Sequence, residues 1–154
     1  MKTKYQYCGP ISLDFEIEND VIVSISFVKP SQKTDIQEQS SLEKQIYTQF
    51  EAYFAGKLHQ FDLPIRLSGT PFQQKVYTEM LQVPYGEVVS YSELAERIGH
   101  PKAARAVGMA NHVNPLPIIV PCHRIVGKNG SLTGFAGGLD IKQFLIDLER
   151  NNSK

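Results

Sequence analysis

The spacing of apolar residues changes after the first third of this chain, and that change constrains the possible fold more than any other feature. Residues 11–17 alternate apolar and polar side chains, residues 18–20 supply turn chemistry, and residues 21–27 form a second run rich in β-branched side chains. These runs predict a β-hairpin. In residues 41–55, apolar side chains recur at four-residue steps, which indicates a helix that ends at Gly56. The sequence therefore predicts an N-terminal α/β domain.

A second, mostly helical domain is predicted to follow. Residues 57–69 contain proline, serine and glycine and are interpreted as a connection, so the predicted domains are residues 1–69 and 70–154. Thr70 and Pro71 are typical of the N-cap and the first turn of a helix.

Two short helices in this second domain are predicted to form a helix-turn-helix. Ser90 and Glu93 form a capping-box pattern that starts a helix ending near Ile98. A turn through Gly99 leads to a second helix over residues 102–111, which is rich in alanine. Small side chains let a helix approach a nucleic-acid groove closely, but alanine is also the best helix former, so this pattern alone is weak.

The last helix is predicted to begin at Asp140, with Gln143 completing its cap. Its predicted buried face consists of Ile141, Phe144, Leu145 and Leu148. The predicted fold is therefore an α/β domain followed by a mostly helical domain that holds both the helix-turn-helix and Cys122.

The cysteines, histidines and apolar runs exclude several classes of protein. Cys8 and Cys122 are the only cysteines; they do not form a CxxC redox pair or a disulfide framework, so both thiols are expected to be free. The four histidines are scattered and show no zinc spacing. No apolar run is long enough to cross a membrane, and no signal-peptide stretch is apparent. A cytoplasmic protein is expected, or a nuclear one in a eukaryote.

Charge is unevenly distributed although the net charge is zero. Residues 1–70 hold seven Lys and Arg against nine Asp and Glu, whereas residues 71–154 hold nine against seven. No acidic residue lies between Glu96 and Asp140, and this stretch contains five cations: Arg97, Lys102, Arg105, Arg124 and Lys128. Either the stretch forms one face that binds a polyanion, or it is mainly buried backbone with incidental cations. Charge alone favours neither interpretation.

The segment from Asn114 to Arg124 is the most informative for chemistry. Three prolines bracket an apolar run that ends in Cys122, and His123 and Arg124 follow directly. This composition predicts an extended, stiff and buried chain. The reactive form of cysteine is the thiolate, and an unperturbed thiol with a pKa of about 8.5 is mostly protonated near neutral pH, so a neighbouring imidazole would have to take the proton. A Cys-His pair by itself is more often a small buried cysteine beside a polar neighbour.

The residues around Cys122 resemble the active-site signature of the methylated-DNA:protein-cysteine methyltransferases, also called 6-O-alkylguanine-DNA alkyltransferases. The signature lies in residues 121–126, and similar motifs occur in the family's order at residues 86–91, 101–108, 114–115 and 134–139. The resemblance covers essentially all of residues 71–150. The first 70 residues match only in general layout, where this family carries a ribonuclease-H-like α/β domain.

The resemblance implies a catalytic role for five residues. Cys122 would accept the alkyl group. His123 would deprotonate Cys122 through a water, and Glu149 would orient His123, as in other acid–base–nucleophile triads. Asn114 would hold the active-site turn, and Tyr91 would donate to the guanine ring as the base leaves. The resemblance implies no metal and no cofactor, and no glycine-rich fingerprint for a methyl-donor cofactor is visible.

The resemblance also implies that the partner is double-stranded DNA bearing alkylated bases. Arg105 would enter the base stack in place of a flipped nucleotide, because a stacked guanine cannot reach a buried thiol. The other DNA-contacting residues implied in this way are Lys102, Ala104, Ala106 and Arg124. We expect a monomer that does not bind a membrane.

The implied substrate pocket consists of Pro117, Ile125, Phe135, Ala136 and Gly137. Residues 134–138 would form a lid whose backbone N–H groups face the departing oxygen. Many family members carry hydroxyl residues at the positions of Phe135 and Ala136. Both hydroxyls are absent here, so only backbone donors are expected to contact that oxygen.

The implied reaction is a direct repair in which each molecule reacts once. The Cys122 thiolate would displace the 6-oxygen of guanine from the alkyl carbon, and the 4-oxygen of thymine stays open as a second source. An acyl thioester can be hydrolysed to recycle an enzyme, but an alkyl thioether cannot. Two alternatives stay open: a cysteine hydrolase that uses Cys122, His123 and Glu149, and a non-catalytic sensor of alkylated DNA, whose known examples lack the acceptor cysteine.

Overall fold

The structure, a computed structural model, describes residues 2–29, 39–132, 135 and 137–153. The chain forms two compact units, Met1–Arg66 and Leu67–Lys154. This division lies three residues before the predicted boundary. Within the described residues, the first unit contains a small sheet and one helix and the second is mostly helical, which confirms the predicted fold class.

The first unit is built on a three-stranded antiparallel sheet. Its strands are β1 (Lys2–Tyr7), β2 (Ser12–Glu18) and β3 (Val21–Val28), in the order β1-β2-β3. β2 and β3 form the predicted hairpin, and the two residues at its turn, Asn19 and Asp20, have φ angles of 54° and 62°. Asn and Asp tolerate this left-handed conformation, which a two-residue hairpin turn requires. β1 was not predicted, because its first residues are polar and exposed.

One helix, α1 (Ser41–Phe54), completes the described part of this unit. Ser40 caps it and accepts the Glu43 N–H at 3.1 Å. Phe15 of the sheet and Phe50 of α1 are buried with their ring centroids 5.1 Å apart in an edge-to-face contact, so aromatic packing joins helix and sheet. Residues 30–38, which connect β3 to α1, lie outside the described residues.

The second unit begins with α2 (Pro71–Met80), which Thr70 caps as predicted. The elements that follow are β4 (Val89–Ser90), α3 (Tyr91–Arg97), α4 (Ala104–His112), a 3-10 helix (Cys122–Arg124), β5 (Ile125–Val126), a second 3-10 helix (Lys128–Gly130) and α5 (Leu139–Asn151). β4 and β5 pair in parallel with Val89 opposite Ile125, which brings the start of α3 beside the segment that follows Cys122. No helix formed by the described residues is both long and apolar enough to cross a membrane.

α3 and α4 form the predicted helix-turn-helix. The Ser90 hydroxyl accepts the Glu93 N–H at 3.0 Å and starts α3. α3 ends at Arg97, and the chain turns at Gly99, whose φ of 82° is left-handed and whose N–H donates to the Glu96 carbonyl at 3.0 Å. α4 begins at Ala104, two residues later than predicted, because the residues before it form the turn.

The start of α5 differs from the prediction. The residue before the helix is Gly138, with a φ of 96°, and no side chain caps the first turn. The predicted cap of Asp140 and Gln143 is therefore wrong. Asp140 lies inside the first turn, where its charge still favours the helix dipole, and Gln143 donates to Asp147 at 2.8 Å.

The buried face of α5 also differs from the prediction. It consists of Lys142, Leu145, Ile146 and Glu149. Of the predicted apolar face, Leu145 is buried and Ile141 and Leu148 are half-buried, but Phe144 is 41% exposed, so the prediction is wrong at Phe144. An apolar stripe predicts the buried side of a helix only when charged residues stay in solvent. Here two charged side chains are turned inward, and the helix is rotated accordingly.

Candidate active site and DNA-binding surface

The segment that precedes Cys122 is buried as predicted, but it is folded into a turn rather than extended. The Val120 N–H donates to the Leu116 carbonyl at 2.8 Å, and Pro117 and Val120 form an isolated bridge. Ile118 has a φ of 75°, which a β-branched residue rarely adopts. Proline fixes its own φ but leaves ψ free to turn the chain, so three prolines do not require an extended segment.

Asn114 holds this turn through both ends of its side-chain amide. Its Oδ1 accepts the Leu116 N–H at 3.0 Å, and its Nδ2 donates to the Val120 carbonyl at 2.8 Å. The same side chain also favours the charged form of Cys122, because it lowers the pKa of that thiol. Asn114 thus lies where the predicted role in holding the active-site turn requires it.

Cys122 is the first residue of a 3-10 helix and is only 3% exposed. Burial raises the pKa of its thiol to about 11, so the resting form is protonated. The Asn114 side chain and the backbone N–H groups of Ile118 and Cys122 oppose this shift, because hydrogen bonds to sulfur stabilise the thiolate more than the thiol. These groups offset part of the cost of burying a thiolate, but the thiol is still favoured overall, so a base has to remove its proton.

His123 is the base closest in sequence, and it forms a buried pair with Glu149. His123 Nε2 lies 2.6 Å from Glu149 Oε2. Burial lowers the pKa of His123; Glu149 opposes that shift, and the charges of Arg124 and Lys142 add to it. A neutral imidazole that donates from Nε2 leaves its acceptor lone pair on Nδ1. Within the described residues, Nδ1 is buried and makes no hydrogen bond.

Glu149 is held as a carboxylate although it is buried. Its Oε1 accepts from Arg124 Nε at 2.8 Å and from the Gly86 N–H at 3.2 Å, and its Oε2 accepts from Arg124 Nη2 at 3.0 Å. Burial alone would raise the pKa of Glu149, but the hydrogen bonds and charges of His123 and Arg124 hold it well below the ordinary value. Glu149, which the family resemblance implied as the partner of His123, is therefore ionised.

The structure corrects the predicted role of Arg124. Its side chain is buried, and its third donor, Nη1, bonds to the Val83 carbonyl at 2.7 Å. The guanidinium carbon lies 5.7 Å from the centre of the Tyr85 ring. Because its donors are used inside the protein, Arg124 is not a DNA-contacting residue. Three successive residues on a 3-10 helix point about 120° apart, so a cation beside Cys122 is as free to face inward as outward.

Lys142 is a charged residue of the site that was not predicted from the sequence. Its side chain is fully buried, and burial lowers its pKa to about 8, which interaction with Cys122 opposes. Its Nζ lies 5.8 Å from the centre of the Tyr91 ring and 5.9 Å from that of Phe135. Lys142 and Cys122 therefore stabilise each other's charged forms. A signal existed: residues seven apart share a helix face, and Glu149 had already been assigned to the site.

An open groove of about 410 Å³ lies on the helix-turn-helix. It is lined by Ser90, Tyr91, Ser92, Ala104, Arg105, Gly108 and Lys128. A Cβ added at Gly108 would lie 3.8 Å from the Tyr91 ring, so the backbone of α4 comes close to that ring. Of the predicted DNA-contacting residues, Ala104 and Arg105 line this groove, and Lys102 and Ala106 are exposed next to them in the chain.

The residues predicted for the substrate pocket are only partly described. Pro117, Ile125 and Phe135 are buried, and Gly137 is half-buried. Ala136, and with it part of the predicted lid, lies outside the described residues. Among those that are described, no group of three or more His, Cys, Asp and Glu side chains is placed to hold a metal ion.

Comparison with known proteins identifies the family. The model of the 6-O-methylguanine DNA methyltransferase DNA-binding domain matches residues 71–151. A methylated-DNA–protein-cysteine methyltransferase of Methanosarcina acetivorans is 46% identical over 145 residues, which are 92% of each chain. This chain belongs to the methylated-DNA–protein-cysteine methyltransferases. The family predicted from the motifs around Cys122 is confirmed.

Solved structures of methyltransferases from this family resemble the whole chain. The crystal structure of Mycobacterium tuberculosis O6-methylguanine methyltransferase has a TM-score of 0.88 and 39% identity, and the match covers 100% of this chain and 96% of that one. The M. tuberculosis OGT protein in complex with DNA has a TM-score of 0.85 and 41% identity, over 96% of this chain and 92% of that one.

Proposed function

We propose that this methyltransferase repairs double-stranded DNA by moving an alkyl group from the 6-oxygen of guanine to Cys122, once per molecule. The observation that carries the proposal is the buried Cys122 thiol next to a neutral His123 whose Nδ1 is unpaired among the described residues. A cysteine kept only for packing needs neither an adjacent base nor donors directed at its sulfur.

The first chemical step is removal of the thiol proton. His123 Nδ1 accepts this proton through a bridging water, and Glu149 stabilises the imidazolium that results. The sulfur is then a thiolate that is stabilised by the Asn114 side chain, by the backbone N–H groups of Ile118 and Cys122, and by the charge of Lys142. These groups lower the free energy of the thiolate without reducing its access to an alkyl carbon.

The second step is an in-line displacement. A sulfur lone pair forms the S–C bond while the C–O bond breaks, and its electron pair passes to the guanine ring. Tyr91, on the groove side of the site, donates a proton to the departing base. The proton that His123 took from Cys122 then returns through solvent to the Tyr91 phenolate, so both side chains end neutral. The products are guanine and an S-alkyl cysteine. No water can hydrolyse that thioether under mild conditions, so the protein is consumed.

The groove on the helix-turn-helix is the proposed DNA surface. Arg105 enters the stack where the flipped nucleotide had been, and Lys102 contributes a phosphate contact. The small residues Ala104 and Ala106 allow α4 to come close to the duplex. The protein acts as a monomer, because one chain contains both the groove and the thiol.

The flipped base is held by the predicted pocket residues. Pro117 and Ile125 offer buried apolar surface, and Phe135 and Gly137 belong to the lid. The Phe135 ring contacts Lys142 Nζ, so lid and reactive centre are joined by a cation–π contact.

The experiment that tests the proposed function counts alkyl groups removed per protein. Duplex DNA containing one 6-O-methylguanine is supplied in excess, and the lost methyl groups are measured for the native chain and for Cys122→Ala. The proposal expects one methyl group per native molecule, none for Cys122→Ala, and DNA binding by both. Repeated turnover would identify a hydrolase, and binding without transfer by the native chain would identify a sensor.

A further inference from the structure

Arg124 and His123 share the carboxylate of Glu149. Arg124 approaches with two parallel donors, Nε to Oε1 at 2.8 Å and Nη2 to Oε2 at 3.0 Å, while His123 Nε2 contacts the same Oε2 at 2.6 Å. All three side chains are buried. A carboxylate in this setting has one negative charge for two cationic partners, and Arg124 is the partner that cannot lose its proton.

We propose that Arg124 is a positioning residue that keeps His123 neutral, so that the reactive unit is Cys122–His123–Glu149–Arg124. This inference rests on the proposed function and extends it. A buried carboxylate that faced only His123 would draw a proton onto the imidazole and make an ion pair. His123 would then carry protons on both nitrogens and accept none from Cys122. Arg124 supplies the positive charge in its place.

Of the other groups around His123, one acts in the same direction as Arg124 and two are neutral. Lys142 on α5 is a second buried cation whose charge disfavours the imidazolium. Tyr85, whose ring lies 5.7 Å from the Arg124 guanidinium, is a neutral phenol because burial raises its pKa. Cys122 is a neutral thiol at rest. Glu149 is thus the negative charge that faces His123, against the two cations Arg124 and Lys142.

The geometry requires arginine rather than lysine. The planar guanidinium makes the two parallel bonds to Glu149, and its third arm is anchored on the Val83 carbonyl at 2.7 Å. A lysine ammonium carries the same charge but cannot make two parallel hydrogen bonds to the carboxylate. Arg124 thereby fixes the plane of the carboxylate, and the carboxylate fixes which nitrogen of His123 carries the proton.

The consequence is a specific dependence of alkyl transfer on pH. Proton transfer from Cys122 needs neutral His123, so the rate falls when pH drops below the pKa of His123. In the native chain that pKa is lowered, and the fall occurs on the acid side of neutrality. Without Arg124 the imidazolium is favoured, the pKa rises, and the rate is lost at neutral pH but recovers at higher pH.

The test measures single-turnover transfer from the free alkylated base across a range of pH, so that DNA affinity does not enter. Four proteins are compared: the native chain, Arg124→Met, Arg124→Lys and the double variant Arg124→Met with Glu149→Gln. Titration of the His123 ring is followed by NMR in the same proteins. Arg124→Lys keeps a cation in the interior. It therefore serves as the folded variant for this test if Arg124→Met does not fold.

The acid-side step is the pH below which the transfer rate falls. In Arg124→Met this pH is expected to rise by roughly one to three units, and the midpoint of the His123 titration measured by NMR is expected to rise with it. Arg124→Lys should move both by less. The double variant should return the step toward its native position, because no carboxylate remains to favour the imidazolium. Lower rates with an unmoved step and an unmoved His123 titration would overturn the inference. Failure of the native chain to transfer at all would instead overturn the proposed function.

Discussion

Lys142 and Glu149 lie on one buried face of α5, where Lys142 interacts with Cys122 and Glu149 bonds to His123. Seven residues separate them, which is two helical turns or about 10 Å along the axis. One rigid helix therefore positions a charge at each end of the proton-transfer pair. Because burial of both charges sets the orientation of α5, the helix exposes Phe144 rather than either of them.

Replacing Lys142 with methionine should slow alkyl transfer while stabilising the protein. The methionine keeps the length of the side chain but removes the cation that favours the Cys122 thiolate, and a loss of about tenfold in single-turnover rate corresponds to a change of one unit in the thiol pKa. Stability should increase because the native fold must bury an amine whose pKa is lowered. Rates and thermal unfolding are measured on the same samples.

The matched control for this change is Lys75→Met, which removes one cation from an exposed position of α2. It should change neither the rate of transfer from the free alkylated base nor the unfolding temperature appreciably. An unaltered transfer rate in Lys142→Met would show that Lys142 is a structural residue only.

Glu149→Gln should both slow transfer and destabilise the fold. The glutamine leaves Arg124 buried without a counter-ion, and breaking a buried pair in this way costs about 3 kcal/mol or more. It also removes the acceptor that fixes His123. Urea unfolding, single-turnover rates and DNA affinity are compared with Asp147→Asn, which removes a carboxylate from the exposed face of α5.

DNA affinity is expected to stay close to native in Glu149→Gln, because neither Glu149 nor Arg124 lines the groove of the helix-turn-helix. A variant with native rate and native stability would show that the carboxylate has no part in the site.

The stability of the native chain should fall as pH drops below about 6.5. The pKa of buried His123 is lower in the folded chain than in the unfolded chain, so the unfolded state takes up the proton first. Between the unfolded and the folded pKa of His123, each pH unit lowers the free energy of unfolding by up to about 1.4 kcal/mol. Glu149, whose folded pKa is also lowered, keeps its contribution until the pH approaches the ordinary value of a carboxyl, about 4.3.

Unfolding free energies measured between these two values isolate the contribution of His123. His123→Gln should flatten the pH dependence, with His112→Gln as the control for loss of a histidine at an exposed position. Equal slopes in the native chain and in His123→Gln would contradict a neutral, buried His123.

Local signals in the sequence were sufficient for several elements. The hairpin was predictable because Asn19 and Asp20 suit its left-handed turn, and α2 because Thr70 caps its first residue, Pro71. The helix-turn-helix was predictable from the cap at Ser90 and the turn at Gly99. Each of these depends on residues adjacent in the chain.

The features that were mispredicted depend on tertiary contacts. The orientation of Arg124 is set by Glu149, 25 residues later, and by the Val83 carbonyl, 41 residues earlier. No local pattern separates such a cation from one that faces solvent. The turn at Ile118 is held by Asn114 and stabilised by burial. Its strained φ therefore could not be predicted from the residue composition of the segment.

Arg105 should matter more for duplex DNA than for the free alkylated base. A side chain that replaces the flipped nucleotide offsets the unstacking that flipping costs, on the order of a few kcal/mol. Arg105→Ala should therefore impair repair of duplex DNA strongly and leave reaction with the free base nearly native. Lys102→Ala is the control, since an exposed phosphate contact should weaken binding and reduce the logarithmic salt slope by roughly one unit. Equal losses on both substrates for Arg105→Ala would argue against insertion into the stack.

Peptide mass mapping after reaction with methylated duplex DNA tests most directly whether Cys122 is the acceptor. The protein is incubated with duplex DNA that carries an isotopically labelled methyl group on the 6-oxygen of guanine, and every cysteine-containing peptide is weighed. We predict one labelled methyl group on the peptide that contains Cys122 and none on the peptide that contains Cys8, which lies in the first unit. A label on Cys8, or demethylated DNA with both cysteines unmodified, would contradict alkyl transfer to Cys122.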